Sequence, residues 1–459
     1  MRRVSAPADV QLERRLSALD AAAIVISNVI GGGIFFVPVI VAQMIPHTAG
    51  MLGVWLLGGA LAFAGAMAYA ELAALRPRAG GEYVYLREAF GPLAAFLTGW
   101  TSFVAGFSGA TAASALALAD YIGRFVGAAA DMRPLLSIPI PGVALALTPR
   151  SVVALSAIAL LTAIHVRGLG PGRLVQNLLA GVKVCALVTF VAIGFAIGHG
   201  DAAHLTQGGD FRASGFLLAL VPVMFSYSGW NAAAYVAEEV RDPGRNVPLA
   251  LALGTVTVVV IYIALNALYL YAMPLAELAS LSGGRLMDSV AERLFGFVAG
   301  NVLAIFTIIS LAASISAMVL AGPRVYYSMA RDGLFLRHAA HVHPRYRTPA
   351  VAIVAQGVWS GILVLSGTLS QLVSYTGFAV VLFAGVAVCA VFVLRRRLPD
   401  AHRPFRAWGY PWAPAVFILA SFVMVANEVW RNPVPTAAGL AIIASGLPVY
   451  FVMRRARSV

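Results

Sequence analysis

The chain is 459 residues long, 60% hydrophobic and only 11% charged, with a mean hydropathy of +0.86. A soluble domain needs roughly 25% charged residues to face water, so the outer surface of this chain must face lipid, which excludes a soluble enzyme, a disordered protein and a coiled coil. Its formal charge of +13 comes from 32 basic and 19 acidic residues, and where those charges fall decides what they mean.

A spanning helix needs about 20 apolar residues. Twelve segments approach or exceed that length: 19–45, 50–75, 92–122, 151–166, 174–197, 214–239, 246–273, 290–322, 349–366, 370–394, 412–430 and 435–453. The first twenty residues hold four arginines and no short apolar core with a cleavage site, so they read as a retained tail and not a signal peptide. The pattern divides the chain into an N-terminal tail (1–18), five segments (19–197), five more (214–394), a closing pair (412–453) and a C-terminal tail (454–459).

Every basic residue but one is an arginine, and the exception is Lys183. With the N-terminus inside, 24 arginines fall in inner loops and tails and seven on the outer side. Basic loops stay in the cytoplasm, so both termini are expected there, in a multi-pass protein of the cytoplasmic membrane. The positive balance is thereby a topology signal and implies no nucleic-acid partner. Cys185 and Cys389 lie in apolar runs and offer no disulfide framework.

Two segments are interrupted at comparable places. The first reads Ile26-Ser-Asn-Val-Ile-Gly-Gly-Gly-Ile-Phe35, and the sixth reads Phe225-Ser-Tyr-Ser-Gly-Trp-Asn231. Each glycine costs a helix roughly 1 kcal/mol relative to alanine, so the backbone is expected to open there. Open backbone at membrane depth is tolerated only around a protein-enclosed cavity. Breaks five segments apart suggest inverted five-helix repeats with a binding site at mid-membrane. The competing reading, glycines that only let helices pack closely, suits one segment better than a matched pair.

These residues resemble the amino acid–polyamine–organocation permeases, and within them the L-type amino acid transporters. Val29-Ile-Gly-Gly-Gly-Ile-Phe35 is similar to the family's first-helix motif. Tyr69-Ala-Glu-Leu72, Pro77-Arg-Ala-Gly-Gly-Glu-Tyr-Val-Tyr85 and Ala89-Phe-Gly-Pro92 resemble its signature after the second helix. The sixth segment, with Glu238-Glu239 and Asp242-Pro-Gly-Arg-Asn-Val-Pro248, and the stretch from Arg324 through Arg331-Asp-Gly333 to Thr348-Pro349 extend the likeness. The resemblance implies an all-α integral membrane fold of twelve transmembrane helices. Ten form a LeuT-type 5+5 inverted repeat with helices 1 and 6 unwound, and two are added at the C-terminus. It also implies transport of amino acids by alternating access.

An amino acid brings a carboxylate and an ammonium. Gly31, Gly32 and Gly33 let a carboxylate approach free backbone amides at a positive helix end, and open carbonyls at Phe225, Ser226 and Ser228 suit the ammonium. The family pattern places the equivalents of Ile30, Gly31, Gly32, Gly33 and Ile34, and of Phe225, Ser226 and Ser228, around the substrate. Val29 and Asn231 are expected beside them, with Phe225 and Trp230 as gate or, alternatively, as core aromatics. Serine usually stands where this chain has Gly32. Lys183 lies about ten residues into the fifth segment, roughly 13 Å deep, where a charge is a functional residue by default. The resemblance, carried by Gln176-Asn177 and Lys183, implies that the lysine replaces a sodium ion. It would join a carbonyl near Ile30 or Gly31 to Ser314, which implies sodium-independent transport.

Glu71, Asp120, Glu292 and Glu428 fall near segment ends and no acid is placed at mid-depth, so neutral amino acids are the expected substrates. Glu238 and Glu239 read as a solvated helix end or an inner ion pair. No histidine spacing suggests a metal, and no cofactor is expected. No cysteine occurs between Gly123 and Arg150, where animal L-type subunits carry the one that bridges to a glycoprotein, so no disulfide-linked heavy-chain partner is expected. A polyamine or cationic amino acid carrier and a non-transporting amino acid sensor stay open. An enzyme would need a nucleophile, acid–base pair or metal cluster at one cavity, and none is found.

Overall fold

Backbone groups find no water in hydrocarbon, so apolar chain at that depth satisfies them within helices. The computed structural model describes residues 12–140, 143–206, 208–281, 286–296, 299–366, 369–431 and 433–455. Of the expected tails, residues 1–11 and 456–459 lie outside the described residues, and Arg2, Arg3, Arg285 and Arg457 with them.

The first segment becomes α1 (Ala18–Val29) and α2 (Gly33–Met44), bent by 49° at the break. Ser17 starts α1 with a capping box, its hydroxyl and the Asp20 carboxylate each satisfying an end amide. Next come α3 (Thr48–Leu75), a short α4 (Glu82–Phe90), then α5 (Pro92–Thr101) and α6 (Phe107–Gly123), joined by a π-helical turn at Ser102–Gly106. An antiparallel hairpin of β1 (Leu136–Ile140) and β2 (Val143–Leu147) leads to α7 (Pro149–Val166) and α8 (Leu169–Ile197). The sixth segment becomes α9 (Ala213–Ser226) and a single turn, α10 (Ala232–Tyr235), followed by α11 (Pro243–Ala272). Two short helices, α12 (Leu275–Ser280) and α13 (Leu286–Phe295), precede α14 (Ala299–Ala321), which continues into α15 (Pro323–Arg331). α16 (Ala350–Leu365), α17 (Leu369–Arg397), α18 (Trp412–Arg431) and α19 (Pro433–Arg455) complete the order.

Among the described residues nine helices are long and apolar enough to cross a membrane, and the bent α1–α2 pair makes a tenth. α9 and α16 are apolar but shorter. The expected segment 290–322 divides. Its first residues belong to α13, where Asp288, Glu292 and Arg293 charge one face, and the span starts at Ala299. The β-hairpin has no counterpart in the helical reading of the sequence.

α11 packs along α3 and α1, while α14 packs along α6, α8 and α1. Two buried acids fasten helix ends near the N-terminal stretch. Glu71, near the end of α3, accepts from Arg395 Nε (2.8 Å) and Nη2 (2.6 Å) and from the Ala407 amide (2.7 Å), tying α3 to α17 and the loop beyond. Glu239, just after α10, takes Arg324 of α15 in a two-pronged pair at 2.9 and 3.0 Å. Glu239 and Arg324 are only 0% and 1% exposed, so the two expected alternatives resolve to a buried ion pair. The Glu239 carbonyl also accepts the amides of Arg15 and Leu16, and Leu16 bridges to Val240. Glu238 holds Arg331 at 3.1 Å and the Ala79 amide at 2.9 Å. The N-terminal stretch at Arg15–Leu16, the end of the sixth segment and α15 thus form one closure.

Removing one partner of a buried pair leaves a bare charge and costs about 3–5 kcal/mol. Glu239→Ala is therefore expected to lower the thermal unfolding midpoint of detergent-purified protein by several degrees more than Glu238→Ala, whose arginine is half exposed. Equal midpoints for the two variants would contradict the buried closure.

Candidate functional site

The two breaks are built to fit each other. α1 ends at Val29, and the amides of Ile30 and Gly31 still turn back to Ile26 and Val29. α2 then opens at Gly33 with Gly32 as its cap, which supplies no side-chain bond. The amides of Gly33 and Ile34, the first of α2, thus lack helical acceptors at a positive helix end, while that of Phe35 turns back to Gly32 O at 2.9 Å. In the sixth segment Gly229 has φ +99°, a left-handed turn that glycine adopts without strain. A Cβ on Gly229 would lie 2.7 Å from Asn28 Nδ2 and 3.1 Å from the Asn28 backbone. A Cβ on Gly33 would lie 2.8 Å from Ser226 Oγ and 3.0 Å from Ser226 Cα. Glycine at each break is therefore what lets the other approach.

Three side chains bind the opened backbone. Lys183 sits at the middle of α8, deeper than the expected start at residue 174 implied, and is 2% exposed. Its ammonium donates to Ile30 O (2.5 Å), Ser314 Oγ (3.1 Å) and Ser27 O (3.3 Å). Ser314 of α14 lies 3.0 Å from Ile30 O and 2.9 Å from Ser27 O. Tyr262 of α11 places its hydroxyl 2.9 Å from Val29 O and 3.2 Å from Ser226 O, clasping both breaks at once. Lower on α8, Gln176 donates to Ala23 O and Asn177 to Asp20.

The expected site residues divide by environment. Val29, Ile30 and Ile34 are buried in the core, and Gly32 is exposed. Phe225 is half-buried, and Ser226 is buried against Gly33. Two of the carbonyls expected to be open are already used. Phe225 O accepts the Ser228 amide at 3.0 Å, and Ser226 O lies in reach of Tyr262. Trp230 packs edge-on between Tyr69 and Phe417 as a core aromatic. Ser228 and Asn231 line a cavity with Asn28, Gly229, Tyr235 and Glu82. Its far wall is Thr98, Thr101, Phe107, Met318 and Phe383. It encloses about 140 Å³, against roughly 10–15 Å³ for one water position, which is room for a small amino acid.

Glu82 puts an acid in the cavity wall, where the sequence reading placed none. It begins α4, outside the spanning helices, and faces the cavity. Its Oε2 accepts from Tyr69 Oη at 2.8 Å and lies 3.5 Å from Asn231 Nδ2. Burial pushes its carboxyl up to about 7, against the opposing hydrogen bonds of Tyr69 and Tyr235. The residue stands in plain view in the Gly-Gly-Glu-Tyr motif, but only the folded chain turns that motif inward. Tyr262 was equally hidden, one tyrosine among 15. No group of His, Cys, Asp and Glu able to hold a metal occurs among the described residues. His165 lies 2.8 Å from Ser316 Oγ inside the core.

A family model described as "Amino acid permease" matches residues 16–453. The chain is 30% identical to the human cystine/glutamate transporter over 448 residues, 96% of this chain and 86% of that one. It is 29% identical to a serine/threonine exchanger of Bacillus subtilis over 453 residues, 98% and 99% of the two chains. It is 28% identical to human large neutral amino acids transporter small subunit 2, covering 96% and 81%.

The glycine geometry separates two neighbouring substitutions. Gly33→Ala must push the half-helices apart, whereas a Cβ on Gly32 meets only the Phe36 ring at 3.7 Å. In reconstituted vesicles Gly33→Ala is expected to cut substrate exchange at least about tenfold, equivalent to ~1.4 kcal/mol, while Gly32→Ser stays within about twofold of the parent. Equal losses at both positions would show that the tight contact is not what matters.

Proposed function

The chain belongs to the amino acid permease family, and from that premise we propose that it is a sodium-independent carrier of neutral L-amino acids in the cytoplasmic membrane, working by alternating access. Its relatives are named as transporters and exchangers, not enzymes. The observation that carries the reading is the pair of interlocked breaks beside a cavity of amino acid size. The substrate carboxylate goes to the amides at Gly31–Gly33, that of Gly31 once released from Val29 O, and the ammonium to the backbone around Ser226 and Ser228 once the segment opens. Val29, Ile30 and Ile34 contribute backbone, Asn231 a polar wall, and Phe225 a lid; Trp230 supports that lid from the core. Lys183 and Ser314 hold the first break where a sodium ion would otherwise be needed.

Twelve spans, the 5+5 inverted repeat and cytoplasmic termini complete the proposal. Cys185 and Cys389 lie within α8 and α17, which supports a carrier without a disulfide-linked heavy chain. The exchanger and large neutral transporter among the relatives support a neutral substrate. An anionic side chain, as the name of the cystine/glutamate relative would allow, would want a base in the cavity, and its described lining has no lysine or arginine. A second reading, a cationic amino acid or polyamine carrier, gains support from Glu82 in the cavity wall.

Counterflow of labelled alanine, serine and leucine in proteoliposomes tests the reading, with sodium replaced by potassium. Rates are expected to be equal in the two salts. Strict sodium dependence would overturn the role given to Lys183, and arginine or putrescine outcompeting alanine would favour the second reading. Lys183→Ala removes charge-assisted bonds worth about 1.5–3 kcal/mol each, so exchange is expected to fall more than about tenfold.

A further inference from the structure

Glu82 is the carboxylate that the fold leaves without a basic partner at the site. Glu71 and Glu239 are each matched by arginine. No lysine, arginine or histidine pairs with Glu82 among the described residues. Glu82 is half-buried in the cavity wall, where a charge lacking a partner is disfavoured, and the remedies are a cation or a proton.

We propose that Glu82 is a proton-carrying site of the transport cavity, so that a proton crosses with each amino acid. The proposal rests on the carrier reading above. The proton binds a carboxylate oxygen on the side where the cavity is open and leaves the same oxygen after the cavity opens to the other side. No other bond changes. The titratable groups facing Glu82 are Tyr69 from α3, Tyr85 from its own helix and Tyr235 from α10. Thr98 of α5, Phe107 of α6, Met318 of α14 and Phe383 of α17 bring no charge. Lys183 does not face it, since that ammonium is held by Ser27, Ile30 and Ser314.

Two further features favour a proton over an organic cation. Tyr69 and Asn231 already converge on Oε2, and a substrate ammonium would have to displace them, whereas a proton fits within the existing bonds. Asn231 also donates to Tyr235 Oη at 3.0 Å. It is the last residue of the turn that interrupts the sixth segment and sits beside Gly229, which packs on Asn28. Movement at either break therefore alters the hydrogen bonding of Glu82. Burial and the neutral donors act in opposite directions on its charge and leave it titratable near neutral pH. Exposure to water favours the anion, enclosure favours the acid, and the start of α4 adds a positive helix end to the anionic state.

The test uses full-length protein in proteoliposomes, first by alanine counterflow at equal pH. Absence of counterflow would count against the carrier reading itself. Where counterflow is present, an inward proton gradient of about two pH units sets a ceiling of about 100-fold accumulation for one proton per substrate. The expected result is at least about tenfold accumulation of labelled alanine, reduced to no more than about twofold by Glu82→Gln and largely kept by Glu82→Asp. Counterflow without gradient-driven accumulation, or equal accumulation in Glu82→Gln, overturns the proposal. So does competition by arginine or putrescine that disappears in Glu82→Gln, because the carboxylate then serves substrate. Where Glu82→Gln transports nothing, infrared difference spectra decide. A protonated-carboxyl band titrating between about pH 6 and 8 and displaced in Glu82→Asp supports the site, and absence of such a band overturns it.

Discussion

A polypeptide that leaves its helix inside a membrane exposes amides and carbonyls that lipid cannot satisfy, and this molecule is organised around meeting that demand at two places. Ile30 O and Ser27 O are met by Lys183 and Ser314, and Val29 O and Ser226 O by Tyr262. Each partner comes from a different helix: α8, α14 and α11. The first break thereby gathers three long helices that are distant in sequence. The second break needs less from outside, because its Ser228 amide bonds back to Phe225 and its glycine rests on Asn28.

The structure treats charge in two ways. At the helix ends near the N-terminal stretch, acids meet arginines directly, as Glu239 with Arg324 and Glu71 with Arg395 and Arg403 show, and such pairs hold elements in register while contributing little net stability. At the first break the charged side chain is Lys183, satisfied by oxygen atoms without a carboxylate, and in the described lining of the cavity it is Glu82, satisfied by hydroxyls and an amide. Both rely on neutral dipoles. A site that must admit and release a charged solute benefits from walls that hydrogen-bond without forming rival ion pairs.

Much of this was legible in the residues. The apolar runs gave most of the helical order, and the glycine triplet and the Phe225–Asn231 stretch gave both breaks, because helix propensity is a local property. Lys183 drew attention because a lone amine in an apolar run is conspicuous, and its contacts with Ile30 and Ser314 lie where the resemblance put them. Glu82 and Tyr262 were missed for the same reason: their roles come from what they face. Glu82 reads as a loop acid until α4 folds against α3 and the second break. A tyrosine in an apolar helix reads as ordinary core until its hydroxyl is seen between two carbonyls. The β-hairpin escaped because its short apolar strands carry no helical period, and α13 because its apolar residues ran on into the next span.

The near-total use of arginine has a practical side. Amine-directed reagents acylate lysine and leave guanidinium groups alone, so this chain carries a single side-chain target for them, and that target is the ammonium that pins the first break. Chemistry that in most proteins decorates the whole surface would here act as a probe of one crossing point. At that side chain, apart from the terminal α-amine that every chain offers, it would be silent while the crossing is sealed and reactive whenever water and reagent gain entry.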